Sequence, residues 1–150
     1  MDVASARKLA KAPRSPYARR PVHAGDLRIE AWAGTREAVI AEAVAALVGS
    51  FAGSAHLAPS SRTLFRVTGD TDAELLQAVL GRIIAGVLER QEVPVATAVS
   101  ATETGLEVSC RTVNAAGIMP TGAIPKAVSR QTALCRRFPS GWWCSARIDV

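Results

Sequence analysis

The 150 residues suffice for one domain with a hydrophobic core, and 49% hydrophobic with 21% charged residues is typical of a soluble globular protein. No apolar run reaches the roughly 18 residues of a membrane-spanning helix, and no apolar segment near the N-terminus indicates a secretory signal. The cysteines, Cys110, Cys135 and Cys144, form no close CxxC pair. This argues against a disulfide framework or a zinc site and favours a cytoplasmic protein.

The net charge of +5 is concentrated at the N-terminus. The first 20 residues carry six basic residues and one acidic residue, and the other 130 carry 12 of each sign. Prolines at 13, 16 and 21 and the lack of apolar periodicity predict a disordered basic tail over residues 1–21, followed by a folded domain over residues 22–150. The tail either contacts RNA or an acidic partner by charge alone, or is a solvated extension that folding does not need.

The first half of the domain reads as two strand–helix units. Apolar and polar residues alternate from Leu27 to Ala33, which predicts a strand, and Thr35 is placed to cap a helix. That helix has one apolar face, formed by Ile40, Val44, Leu47, Val48 and Phe51. A second strand is predicted from Arg62 to Val67.

A capping box, Thr71-Asp72-Ala73-Glu74, predicts the start of a second helix. Its wide apolar face indicates a central core helix, and is formed by Leu75, Leu76, Val79, Leu80, Ile83, Ile84, Val87 and Leu88. Gly81 and Gly86 interrupt this helix at a cost of roughly 1 kcal/mol each relative to alanine. We therefore expect both glycines to pack closely against a neighbour.

The second half of the domain is predicted to be β-structure. Strands over 93–101 and 106–113 flank a turn at 102–105, and residues 114–125 form a loop rich in Gly and Pro. Two more strands are predicted over 124–131 and 142–149. The order β-α-β-α-β-β-β-β predicts an α+β fold with two main helices and a mixed or antiparallel sheet.

Acidic residues stand at both ends of this predicted domain. Asp26 precedes the first strand, and Asp149 ends the last strand beside the carboxylate of Val150. If the two strands are antiparallel neighbours, these groups meet, and such a cluster needs a cation. Hard oxygen ligands favour calcium or magnesium.

The chain resembles the archease family over roughly residues 22–150. His23-Ala24-Gly25-Asp26 stands where that family has His-Thr-Ala-Asp, and Pro125-Lys126-Ala127-Val128 stands where it has a Lys-Ala-Val-Thr strand. The segment 142–150 matches its closing strand, with Asp next to last. The resemblance implies that Asp26, Asp149 and Val150 bind a divalent metal ion, calcium or else magnesium or manganese. His23 and Lys126 are candidates for residues that support these ligands without contacting the ion.

The chain also departs from the family pattern. Ser129, Arg130 and Gln131 replace the usual Thr-Tyr-His, and Leu88 stands near a usual Asp. These differences indicate either a divergent member with altered partner choice or one that has lost activity.

Each remaining candidate has a structural alternative. His23 is a ligand, a hydrogen-bond donor to Asp26 or a plain loop histidine, and Lys126 either balances the carboxylates or is a solvated lysine at a strand edge. Trp142 and Trp143 are expected to pack in the core and at its rim rather than stack on bases. A basic set, Arg130, Arg136 and Arg137, forms either an RNA patch or a solvated loop.

No nucleophile–base pair, P-loop or metal-protease spacing is present, so an independent enzyme is not expected. The resemblance implies a protein cofactor that activates the tRNA-splicing RNA ligase, promoting its guanylylation and repeated turnover. The alternative is a basic-tailed nucleic-acid-binding or chaperone-like module without a ligase partner. A third alternative is a small metal-dependent enzyme.

Overall fold

The computed structural model describes residues 25–53 and 58–150. The predicted tail over 1–21 and His23 lie outside the described residues. The described elements run as β1 (Asp26–Ala33), α1 (Arg36–Ala52), β2 (Ser61–Thr68), α2 (Asp72–Arg90), β3 (Glu92–Ala101), β4 (Gly105–Asn114), a 3-10 turn (Ala115–Gly117), β5 (Ala127–Val128), β6 (Leu134–Phe138) and β7 (Gly141–Asp149). None of the described helices is long and apolar enough to cross a membrane.

Both helices begin at the predicted caps. The Thr35 hydroxyl accepts a hydrogen bond from the Ala38 amide, and Thr71 and Glu74 form a complete capping box. These side chains satisfy amide groups that have no partner within the first helical turn. Helix α2 ends at Gln91, whose left-handed backbone conformation (φ 55°) closes the last turn.

The strands form two antiparallel sheets. In the first sheet, β7 is central and pairs with β1 on one side and with β5 and β6 on the other. The second sheet has the order β2-β4-β3. The α+β class and the two helices are therefore confirmed, with the strands divided between two sheets.

The two helices lie between these sheets. Helix α1 contacts β1 and β7 of the first sheet and β3 of the second, and α2 contacts strands of both sheets. The core side chains are consequently those facing the helix layer, and its largest fully buried members are Ile29, Ile40, Leu47, Leu76, Leu80, Leu106 and Ile148. The opposite face of each sheet points outward.

The structure corrects three expectations. The strand predicted over 124–131 is reduced to the two residues of β5, because Pro125 and a left-handed Gln131 (φ 58°) limit the ladder. Strand β6 was not predicted, although it places Arg136 and Arg137 in a strand rather than in a loop. Gly81 is exposed and an added Cβ would meet nothing within 4 Å, so its predicted close packing is wrong.

Candidate functional site

The first and last strands bring the two predicted acidic residues together. Asp26 lies directly opposite Asp149 in the antiparallel register of β1 and β7. The Val150 amide donates to the Gly25 carbonyl at 2.8 Å, so the next pair, Asp26 and Asp149, is a non-hydrogen-bonded pair. In such pairs both side chains project from the same face with Cβ atoms about 4.5–5.5 Å apart.

Asp149 is held from its other side by β5 and the residues around it. Its carbonyl accepts a 2.7 Å hydrogen bond from the Lys126 amide, and its Oδ1 accepts a 2.5 Å bond from the Ser129 hydroxyl. The Ser129 amide in turn donates to the Arg147 carbonyl at 2.9 Å. One carboxylate oxygen of Asp149 is thus oriented by the protein.

The donor set suits a hard cation. Asp26 and Asp149 are both half-buried, and neither forms an ion pair within residues 25–53 and 58–150. Like charges opposite each other across strands are destabilising, and a shared divalent cation would relieve that repulsion. No group of three His, Cys, Asp or Glu side chains occurs in the same ranges, so two carboxylates need main-chain oxygens, such as those of Val150, to complete a site.

A pair of guanidinium groups follows this acidic pair along the same face. Arg28 lies opposite Arg147, two residues further along both strands. Arg28 is hydrogen-bonded to Ser145 at 3.3 Å and lies 3.5 Å from the Glu30 carboxylate. Two cationic residues thus follow the acidic pair on the same face of the sheet.

Of the two residues expected to support the ligands, Lys126 lies within the described part of the chain. Lys126 contacts the site through its backbone amide, and its residue is exposed. At the positions that depart from the family pattern, Leu88 is 51% exposed and Arg130 and Gln131 are exposed. Only Ser129 among the replaced residues contacts Asp149, and sequence reasoning did not assign it a role.

The cysteines are not suited to nucleophilic chemistry. Burial raises the pKa of the Cys135 thiol to about 12, and burial likewise raises the pKa of the Cys144 and Cys110 thiols. All three are free. At neutral pH each is therefore a neutral thiol, and a reactive thiolate is not formed.

A cleft that sequence reasoning missed lies at the opposite end of β7. Its volume is about 570 Å³, and it is bounded by the β6–β7 turn and the first turns of both helices. Arg36 bridges Glu37 at 2.7 Å and Asp72 at 3.0 Å at this end. The sequence carries little signal of this cleft, because the lining comes from three separate segments that only the fold brings together.

Comparisons with known proteins agree with this architecture. Residues 19–150 match the family model described as Archease protein family (MTH1598/TM1083). The chain is 38% identical over 130 residues to "Probable protein archease" of Mycobacterium tuberculosis (strain CDC 1551 / Oshkosh), covering 85% of this chain and 72% of that relative.

Two solved structures share the fold. One is the crystal structure of an archease and possible chaperone from Thermotoga maritima, with a TM-score of 0.62, 15% identity, and coverage of 88% of this chain and 97% of that one. The other is the solution structure of Methanobacterium thermoautotrophicum protein 1598, with a TM-score of 0.62, 15% identity, and coverage of 84% and 93%. The family model over nearly the whole domain, supported by the curated relative, shows that this chain belongs to the archease family.

Proposed function

We propose that this protein is a cofactor of the tRNA-splicing RNA ligase, which it activates by promoting guanylylation and repeated turnover without being a catalyst itself. The observation that carries the proposal is the facing of Asp26 and Asp149 across β1 and β7. Family membership supports the proposed partner, and the oxygen-only donor set supports a divalent cation, calcium before magnesium or manganese.

The residues of the site would have distinct roles. Asp26, Asp149 and the Val150 carboxylate hold the cation, and Ser129 orients Asp149 through its 2.5 Å hydrogen bond. A bound cation supplies positive charge that screens phosphate groups and organises oxygen ligands. Arg28 and Arg147 place two further positive charges beside it, on the face that is open to a partner.

Isothermal titration with calcium tests the cation site. We expect one binding event with the natural chain and none with Asp149→Ala, because two of the three anionic groups cannot retain the ion alone. Asp70→Ala is a matched control, since Asp70 is an exposed acid whose side chain has no described hydrogen bond. Equal calcium binding by the Asp149→Ala and Asp70→Ala variants would contradict the site.

A guanylylation assay of the cognate ligase tests the activity. Addition of this protein should raise the rate of ligase guanylylation with GTP, and Asp149→Ala should lose most of that stimulation while Asp70→Ala retains it. No stimulation by the natural chain would contradict the ligase role. It would favour the alternative of a nucleic-acid-binding or chaperone-like module.

A further inference from the structure

The outward face of the first sheet carries a second surface, far from the acidic pair. Trp32 and Phe138 stack there with ring centroids 5.7 Å apart and an interplanar angle of 20°, and both residues remain partly exposed. Trp143, which lies opposite Trp32 on β7, is only 4% exposed, as expected for packing rather than base stacking. The Trp32–Phe138 pair therefore forms the accessible aromatic part of this face.

Two arginines border the aromatic pair. Arg136 lies opposite Trp143 on β6, which completes a row from Trp32 across β7 on the outward face. The next residue, Arg137, projects to the opposite face, where it lies opposite Trp142 and lines the 570 Å³ cleft at the end of the strand. Both arginines are exposed, and neither forms an ion pair with any residue in 25–53 or 58–150. Both guanidinium groups are therefore available to an anion, and the carboxylates nearest to Arg137 in the cleft, Glu37 and Asp72, are engaged by Arg36.

The cleft beside Phe138 has a mixed lining. Gly34, Thr35, Ser140 and Gly141 contribute small side chains and backbone groups to its wall, and the Arg36 guanidinium is engaged by the two carboxylates that also line it. Its apolar lining is Phe138, Pro139 and Trp142, and the charged groups beside them disfavour a purely apolar anchor of a protein partner. A planar ring followed by a phosphate fits better, because the ring can stack on the aromatic pair and the phosphate can accept from a guanidinium.

We propose that the outward surface formed by Trp32, Phe138 and Arg136, together with Arg137 in the adjoining cleft, binds single-stranded RNA. One base stacks on the Trp32–Phe138 pair, and the adjoining phosphate contacts Arg136. The strand then passes over the β6–β7 turn, so that the neighbouring nucleotide enters the cleft and its phosphate contacts Arg137. The strand continues along β7 toward Arg28 and Arg147. This contact goes beyond the proposed function, since it requires neither the cation nor the ligase.

Fluorescence anisotropy tests the proposal with the full chain in the presence of a chelator. The probe is a labelled single-stranded oligouridylate of about 10 nucleotides, a length within the site sizes of single-strand-binding folds. Trp32→Leu should weaken binding at least about fivefold, the lower end of the stacking contribution per base. Arg136→Glu should weaken it about tenfold or more. Trp32→Phe should retain most of the affinity, which separates stacking from misfolding, and a melting curve of each variant checks that it folds.

Arg62→Glu is the matched control for charge. Arg62 is exposed on the outward face of the second sheet, where its described side-chain partner is the Ser109 hydroxyl, and the substitution changes the net charge as much as Arg136→Glu does. We expect Arg62→Glu to bind the oligouridylate with an affinity within about twofold of that of the natural chain. The basic residues near the N-terminus are the same in all variants and contribute equally to their affinities. Equal losses for Arg62→Glu and Arg136→Glu, unchanged tryptophan emission at saturating RNA, or no binding by the natural chain would each overturn the proposal.

Discussion

At the scale of single residues, the acidic pair is expected to destabilise the fold without a cation and to stabilise it when a cation is bound. Asp26 and Asp149 face each other at a non-hydrogen-bonded position, where like charges disfavour the folded state. Asp149 also accepts a hydrogen bond from Ser129, whereas no described hydrogen bond or ion pair involves the Asp26 side chain. A substitution at Asp26 therefore removes one charge without breaking a described side-chain hydrogen bond.

Asp26→Asn should raise the free energy of unfolding by about 0.2–1 kcal/mol in chelator, since it removes the repulsion and retains the shape. In excess calcium the natural chain should gain stability by ligand binding, and the variant should not. Urea denaturation in the two conditions measures both effects. A variant that is destabilised in chelator, or that gains as much stability from calcium as the natural chain, would contradict the shared site.

The glycine in the middle of α2 gives a second prediction. Gly81 is exposed and its missing Cβ would meet nothing, so Gly81→Ala should stabilise the fold by about 1 kcal/mol through helix propensity alone. Gly141→Ala is the contrasting change, because Gly141 has φ +141° and its added Cβ would lie 2.6 Å from the Ala33 carbonyl oxygen. Thermal melting should move up for the first variant and down for the second.

At the scale of elements, the sequence pattern predicted those helices and strands whose formation depends on residues close to each other in the chain. Both helix caps and β1 to β4 follow from capping side chains and periodic burial. Both helices begin at the predicted caps, and the bounds of the four strands differ from the predicted ones by one residue at most. Strand β6 was missed because Arg136 and Arg137 interrupt any apolar alternation, and its pairing with β7 is what makes it a strand. The facing of Asp26 and Asp149 was predicted only on the condition that β1 and β7 are neighbours, which sequence cannot establish.

The position of β7 predicts the effect of extending the chain. Asp149 and Val150 lie at its end, between β1 and β5, where the backbone is held by bonds to Gly25 and Lys126. Residues appended after Val150 would replace its carboxylate by a neutral amide oxygen and reduce the anionic charge of the site. We expect cation affinity to fall, while the melting temperature in chelator changes little.

An N-terminal extension of equal length is the control for that comparison. If the C-terminally extended protein binds calcium and stimulates the ligase as well as the N-terminally extended one, the Val150 carboxylate is not a ligand.

At the scale of the whole molecule, buried thiols link stability to alkaline pH. Burial raises the pKa of Cys135 from 9.0 to about 12 and raises the pKa of Cys144 as well. In the unfolded chain these thiols lose their protons near pH 9, whereas in the folded chain they keep them, so the unfolded state binds fewer protons above that pH. Their contribution to stability is therefore complete below about pH 9 and is lost as pH rises toward about 12.

Urea midpoints measured from about pH 8 to about pH 11 should fall with rising pH. A variant with both Cys135→Ala and Cys144→Ala should be less stable at neutral pH, because it leaves space in the core, but its midpoint should fall less steeply. An identical slope in the two proteins would show that other groups cause the alkaline loss.

One consequence of the central position of β7 concerns distance. Asp149 and Trp142 lie at opposite ends of this strand, seven residues apart, which at roughly 3.4 Å per residue separates them by about 24 Å. Strands β1 and β6 are hydrogen-bonded to β7 on its two sides and hold it extended, so the distance between the acidic end and the aromatic end is fixed. A mononucleotide or a free metabolite can occupy one end only. If the proposed RNA surface and the proposed cation site are both occupied, a chain of several linked nucleotides would engage both ends. Its second contact would form at high effective concentration, so the protein would select its ligand by length before any base is read.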